Sequence, residues 1–285
     1  MEPEGKMSVW KNKIENKLTT STEHIRSTGK TIAIVTGASS GLGREFVKLV
    51  DKKETYDEIW VIARRESLLN KIADQIETNV RVIPIDLRLP ESIYRIRDML
   101  HNENPEVRLL ICSAGLGKIG NYEQISLDDQ NAMIDLNCRA AVDVTQTVIP
   151  FMPRGARIME ICSTAGFQPF QYLSVYAASK AFIYRYSRAL RIELLPKRIS
   201  VTAVCPYWVR DTEFIPIARE TAEHNPIRHF PLSSKQENVA RRAYRDANLR
   251  LPVSLPSAVA VVHRIFAKII PSELMMGIWA IIRRL

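Results

Sequence analysis

Short runs of β-branched and other apolar residues recur along the chain, and between them apolar residues return every third or fourth position. Ile32 to Val35, inside TIAIVT, is such a run, followed by Glu58–Ala63 (EIWVIA), Val80–Ile85, Leu109–Cys112, Arg157–Cys162 and Ile199–Cys205. Each is predicted as a buried strand, because a strand covered on both faces is apolar throughout rather than alternating. The intervening stretches are predicted helices. They are one starting at Glu45–Val50, Glu66–Glu77 with Leu68, Leu69, Ile72 and Ile76 on one face, Pro90–His101, a long helix over Asp128–Pro150, and Tyr176–Leu195, stopped by Pro196. Strand and helix alternate, which predicts an α/β fold: a Rossmann-type doubly wound parallel sheet with helices on both faces. From Tyr207 to Asn248 the pattern loosens into charged helical pieces. Arg250–Leu255 is the expected last strand, and Pro252 suits an edge position.

The ends stand apart from this alternation. Residues 1–30 are polar and mixed in charge, with no apolar core of a secretory signal, and are expected as a surface extension. Residues 31–256 form the expected nucleotide-binding domain, and 257–285 an apolar helical tail. In the tail, Ser257–Ile270 is expected to set an apolar face opposite His263, Arg264 and Lys268. Pro271 breaks it, and Leu274–Ile282 (LMMGIWAII) follows, before Arg283 and Arg284. That last run is too short to span a bilayer. Two readings stay open: a helix that covers the substrate cleft or packs in an oligomer, and an amphipathic segment lying on a membrane surface.

The first strand runs into a glycine turn, Gly37, Gly41 and Gly43, with Ser39, Ser40 and Leu42 between, and then into a helix. Backbone N–H groups at a helix N-terminus point outward and the helix dipole favours an anion there. Glycine lets the backbone approach a pyrophosphate where a Cβ would hold it off. The spacing is G-x-x-x-G-x-G, preceded by Thr36, and here the chain resembles the short-chain dehydrogenase/reductase family, whose motif T-G-x-x-x-G-x-G is matched from Thr36 to Gly43. The resemblance spans Thr31 to Leu255.

The resemblance implies a catalytic tetrad. Tyr176 and Lys180 form Y-x-x-x-K, four residues apart and so on one helix face; Ser163 ends the fifth strand thirteen residues earlier, the family's offset; Asn137 lies in the preceding long helix. Tyr176 is expected as general acid/base, Ser163 as hydrogen-bond donor to the developing alkoxide, Lys180 as the charge that lowers the phenol's pKa, and Asn137 as holder of a water that resupplies protons. Asp86 and Leu87 match the adenine position, Ala114 and Gly115 the adenosine side, and Val209 and Thr212 the carboxamide side; Tyr176 and Lys180 also touch the cofactor. The chain departs from the pattern at Ser113, where the family has asparagine and bracing of the sheet edge comes into question. It departs again at Tyr207, where a glycine is usual and a positive φ would be costly.

The second strand ends in Ala63, Arg64, Arg65, with no acid to hold a ribose 2′-hydroxyl. A guanidinium there accommodates a 2′-phosphate, so Arg64, with Arg44 as a further positive charge, favours NADP(H) over NAD. Phe167, Phe170, Tyr172, Tyr207, Trp208 and Phe214 make the region beside Ser163 and Tyr176 aromatic, beneath an expected lid over 207–230. Phe170 and Tyr207 are the expected substrate contacts, and an apolar ketone or alcohol, steroid-like or long-chain, is the expected substrate.

Composition narrows the remaining choices. The chain has 285 residues, 46% hydrophobic and 25% charged, with a net charge of +9. The basic residues are scattered, so nucleic acid is not an expected partner. Cys112, Cys138, Cys162 and Cys205 lack metal or disulfide spacing and are expected as buried reduced thiols of a cytoplasmic protein; no metal site is expected. A homo-oligomer, dimer or tetramer, is expected through the Asp128–Pro150 and Tyr176–Leu195 helices. Two readings of another class stay open: a cofactor-binding sensor that does not catalyse, and a peripheral membrane-associated reductase.

Overall fold

Ile32, Ala33, Ile34 and Val35 have no exposed surface, which places their strand in the middle of the sheet. The computed structural model describes residues 29–221, 226–227, 230 and 232–283. Strands β1 (Thr31–Thr36), β2 (Glu58–Ala63), β3 (Val80–Pro84), β4 (Glu106–Cys112), β5 (Arg157–Ile161), β6 (Ser200–Val204) and, late in the chain, Val253–Ser254 make one parallel sheet. Its order is β3-β2-β1-β4-β5-β6 with Val253–Ser254 at the far edge. The order reverses between β1 and β4, and a doubly wound sheet opens a crevice at that point. Helices α1 (Gly41–Lys53), α2 (Glu66–Ala73) and α3 (Pro90–Glu103) alternate with the first four strands.

The long helix expected over Asp128–Pro150 is broken in its middle. It runs as α4 (Leu127–Ile134), a π-helical turn (Asp135–Arg139) and α5 (Ala140–Val148). Periodicity does not register the one extra residue a π turn inserts. Helix α6 (Ser174–Glu193) opens two residues ahead of Tyr176. A two-stranded parallel ribbon, β7 (Val209–Arg210) with β8 (Ser234–Lys235), brackets α7 (Phe214–Arg219) and was outside the sequence expectation. The final strand, β9 (Val253–Ser254), is shorter than Arg250–Leu255. Arg250 and Leu251 donate their N–H groups back to Ala247 and Asp246, finishing helix α8 (Gln236–Asn248), so neither is available to the sheet. Pro252 does sit at the edge, and its carbonyl accepts from Ala203 N.

Two apolar clusters fill the two faces of the sheet, one built on Trp60, Ile96, Leu100 and Val144, the other on Phe46, Val47, Leu69 and Tyr244. A third covers the carboxyl ends of the strands and joins Ile119, Phe170, Tyr176, Phe214 and Trp279. The tail forms α9 (Ala258–Ile269) and α10 (Ser272–Ile282). Its orientation reverses the expectation for α9. His263 turns inward, where its Nε2 meets Gln168 Oε1 at 3.0 Å and its ring packs edge-on against Phe167 and Phe170, while Val262, Ile265 and Phe266 face solvent. The ring gains edge-on aromatic contacts and a hydrogen bond at Nε2, while Nδ1 is buried with no partner among the described residues. The extension over 1–30 lies outside the described residues apart from Gly29 and Lys30, and the lid over 207–230 is described in part.

Candidate active site

One cleft of about 350 Å³ runs along the carboxyl ends of the strands, within the range of small-ligand pockets. The glycine turn forms its floor at one end. Gly37 and Gly41 have φ of 65° and 53°, and a Cβ on Gly43 would lie 2.2 Å from Gly37 O, so the turn closes on itself only with glycine there. Ser40 caps α1 without a side-chain hydrogen bond to the helix, and the first turn carries no acid. The first turn of α1 therefore offers its N–H groups with no side-chain cap and no acid of its own, and the Glu213 carboxylate nearby is held by Arg65. That is what a pyrophosphate needs, and the residues present fit a dinucleotide. Ser39, Ser40 and Leu42 line the same end.

Thr36 answers the question raised by Ser113. Its Oγ1 accepts from the N–H groups of both Ser113 and Ala114 at 3.1 Å, bracing β1 to the end of β4 without the family's asparagine. Ala114 and Gly115 line the cleft beyond it. Asp86 and Leu87 reach the cleft from the end of β3. Arg88 engages the Asp86 carboxylate through Nε and Nη2, at 3.0 and 2.6 Å, and this hydrogen bonding holds the acid below its ordinary range.

Both arginines after β2 line the cleft, and they differ. Arg64 is exposed and makes no side-chain hydrogen bond among the described residues. Arg65 donates to Glu213 Oε2 at 2.6 Å and reaches Ser39 Oγ at 3.4 Å, tying the end of β2 to the segment that starts α7. Sequence reasoning singled out Arg64 alone. The adjacent Arg-Arg pair was the available signal, but the pairing of one member to a residue 148 positions away was not in it.

At the other end of the cleft the tetrad residues come together. The Ser163 hydroxyl accepts from Ala165 N at 3.1 Å and lies near enough to the Tyr176 phenol to favour its ionised form. The turn that carries Ser163 presses on α6 at Gly166, where a Cβ would lie 2.7 Å from Lys180 carbonyl atoms. Lys180 Nζ donates to Ile161 O at 2.8 Å and lies 5.8 Å from the centre of the Tyr176 ring. Burial pushes the Tyr176 phenol up to about 12 against the downward pull of Ser163, and burial pulls the Lys180 ammonium below its ordinary value. In the protein without cofactor, desolvation of the phenolate is larger than the help it receives.

Asn137 stands behind the cleft wall, within the π turn. Its Nδ2 donates to Leu116 O at 2.8 Å and Ser179 Oγ at 2.9 Å, and its Oδ1 accepts from Leu116 N at 2.8 Å. These three bonds hold the 113–117 segment against α6. A Cβ on Gly115 would meet Asn137 Oδ1 at 3.3 Å and Lys180 Nζ at 3.4 Å, so the two side chains converge at that glycine.

Tyr207 does not take a positive φ; its ring packs against Trp208 and His263, and its residue lines the cleft. The positive φ falls at Asp211, at 59°, where an aspartate tolerates it. Phe170, Val209 and Thr212 also line the cleft, as do Leu116 and Gly117, which sequence reasoning passed over. Phe214 closes the substrate side: its ring lies 5.4 Å from that of Tyr176 and touches the space a Cβ on Gly117 would fill.

The sequence profile of the short chain dehydrogenase family matches residues 31–223. The chain belongs to the short-chain dehydrogenase family. Sulfoacetaldehyde reductase 2 of Chromohalobacter salexigens is 33% identical to it over 192 residues, 64% of this chain and 74% of that protein. An NADP-dependent 3-hydroxy acid dehydrogenase of Escherichia coli is 31% identical over 190 residues, again 64% and 74%. Among solved structures, a short-chain dehydrogenase from Sphingobium yanoikuyae in complex with NADPH overlays with a TM-score of 0.71 at 25% identity, over 87% of this chain and 94% of that one. A short-chain dehydrogenase/reductase from Burkholderia phymatum in complex with NAD shares the fold, with a TM-score of 0.73 at 20% identity over 88% and 97%. The protein is an oxidoreductase of this family, using a nicotinamide cofactor on alcohol and ketone groups.

Proposed function

We propose that this short-chain dehydrogenase is an NADPH-dependent reductase that converts an apolar ketone, steroid-like or long-chain, to a secondary alcohol. The observation that carries the reading is a single cleft lined at one end by Ser163, Tyr176 and Lys180 and at the other by the glycine turn and the N-terminus of α1, which has no side-chain cap. NADPH, when bound, supplies the hydride to the carbonyl carbon. Tyr176 delivers the proton to the carbonyl oxygen, and a phenol held near 12 keeps that proton at every working pH until it is needed. Ser163 steadies the oxygen as negative charge builds on it. Lys180 fixes the Tyr176 face of α6 and contributes its charge there; Asn137 positions the 113–117 wall against which the ribose side would rest.

Preference for NADPH rests on Arg64, exposed at the cleft with its donors open, and on Arg65 beside Ser39. No acid stands at the carboxyl end of β2 to oppose a 2′-phosphate. The preference for an apolar substrate rests on the rings of Phe170, Tyr207, Trp208 and Phe214 along the cleft. Two relatives are named for sulfoacetaldehyde and 3-hydroxy acid chemistry, and the aromatic wall here argues for a different substrate. A panel of hydroxysteroid ketones, long-chain ketones and short keto-acids, followed by NADPH absorbance, tests this. Turnover confined to the short acids contradicts the apolar reading. NADPH binding with no turnover on any of them favours a sensor.

A further inference from the structure

We propose that the outward face of the α9–α10 pair seats this protein on an anionic phospholipid surface. The inner face of the pair is fixed to the body. Ala260, Met275 and Trp279 are buried, Trp279 Nε1 donates to Gln171 O at 3.3 Å, and Gln171 Nε2 donates to Met276 O at 3.1 Å. The outer face is left to solvent. Val262, Ile265, Phe266, Ile269, Ile278 and Ile281 are between 45% and 74% exposed, at the three- and four-residue spacing that lines them up along each helix. An apolar stripe of this kind on a water-soluble surface marks an interaction site.

The chemistry of the stripe selects lipid over protein. Apart from Lys268 and the first turn of α10, its outward residues are aliphatic or phenylalanine, with no hydroxyl or amide to hydrogen-bond a partner. Protein interfaces carry about one hydrogen bond per 100–200 Å² and favour tyrosine, tryptophan and arginine; hydrocarbon asks for none. Charge selects the same way. Beside the stripe the exposed charges are Lys268 and Glu273, while Arg283 is turned inward onto Pro226 O and the Tyr172 ring, so the sign comes from the whole chain, which carries +9. Two copies would each bring a net positive charge to the contact, whereas a phosphatidylglycerol or phosphatidylserine headgroup layer offers the opposite sign.

Length decides the mode. Helix α9 has 12 residues, about 18 Å at 1.5 Å per residue, against a hydrocarbon core of about 30 Å. No helix among the described residues is long and apolar enough to cross a membrane. The pair therefore lies in the plane of the surface with its stripe in the acyl boundary. Trp279 packs edge-on against Phe170 at 5.0 Å between ring centres, and Phe170 lines the cleft, so the seated face adjoins the substrate side. Delivery of a membrane-dissolved ketone would rest on the proposed reduction; binding to the surface does not.

Sedimentation of the full chain with vesicles tests the binding separately from the chemistry. With phosphatidylcholine–phosphatidylglycerol vesicles the protein should pellet, and it should pellet less with phosphatidylcholine alone or in raised salt. Replacing Phe266, Ile269 and Ile281 together by serine should lower partition at least about tenfold, since each buried side chain of this size contributes strongly. NADPH binding and the melting curve of that variant should stay as in wild type, because the three side chains do not touch the body's core. The proposal is overturned if wild type stays in the supernatant with both vesicle types, or if the serine variant pellets equally. It is also overturned if ultracentrifugation shows a wild-type dimer that the serine variant abolishes with no lipid binding in either.

Discussion

Two arginines follow each other at the end of β2, and their surroundings separate their tasks. Arg65 is shared between Ser39 and Glu213; Arg64 has no hydrogen-bond partner among the described residues. A 2′-phosphate would draw both, and a charge-assisted hydrogen bond contributes about 1.5–3 kcal/mol. Arg64→Ala and Arg65→Ala should each lower kcat/KM with NADPH by about 10- to 100-fold and leave NADH turnover within about threefold. Equal loss with both cofactors would mean the arginines serve only the structure. A second residue-scale prediction concerns Glu160, fully buried in β5 with Thr145 donating to one carboxyl oxygen at 2.7 Å and no partner for the other among the described residues. Burial raises its pKa from 4.5 to about 8. The unfolded chain ionises near 4.5 and the folded one near 8, so the folded state loses stability as pH rises through that window. Thermal melts should show wild type falling from pH 5 to 8 with a slope that Glu160→Gln flattens, the variant being the more stable at pH 8.

Among the elements, the glycine turn and the tail carry opposite lessons. The turn was legible because its chemistry is local: Thr36 to Gly43 lie in one stretch, and glycine is required where φ is positive or backbones touch. Gly43→Ala would set a Cβ 2.2 Å from Gly37 O, and overpacking of this kind costs about 1–3 kcal/mol. The melting temperature should fall by roughly 5–10 °C, with NADPH affinity falling alongside; an unchanged melt would show that the turn can open. The tail was not legible in the same way. Its periodicity gave one apolar face, but which face meets the body depends on Gln168, Phe167 and Phe170, about a hundred residues earlier, and these drew His263 inward. Burial lowers the His263 pKa from 6.5 to about 4. Stability is therefore retained above pH 6.5 and lost as pH falls from 6.5 toward 4, where the unfolded histidine takes a proton that the folded one refuses. The π turn at Asn137 was hidden for a related reason, since an inserted residue leaves the flanking apolar spacing nearly unchanged.

At the scale of the whole molecule, the strand order follows from alternation and parallel crossovers, and the sheet places the expected cofactor residues along one crevice, Arg44 excepted. Contacts that bridge distant segments were beyond sequence reading: Arg65 with Glu213, Thr36 with Ser113 and Ala114, Trp279 with Gln171. They matter because they tie the cofactor end, the segment before α7 and the tail to one frame. The account turns on Tyr176 as the proton donor, and Tyr176→Phe tests it most directly, with NADPH binding and ketone turnover measured on the same preparation. The account predicts that turnover falls by at least about 100-fold while NADPH affinity stays within about tenfold of wild type. Turnover that persists in the phenylalanine variant would contradict it.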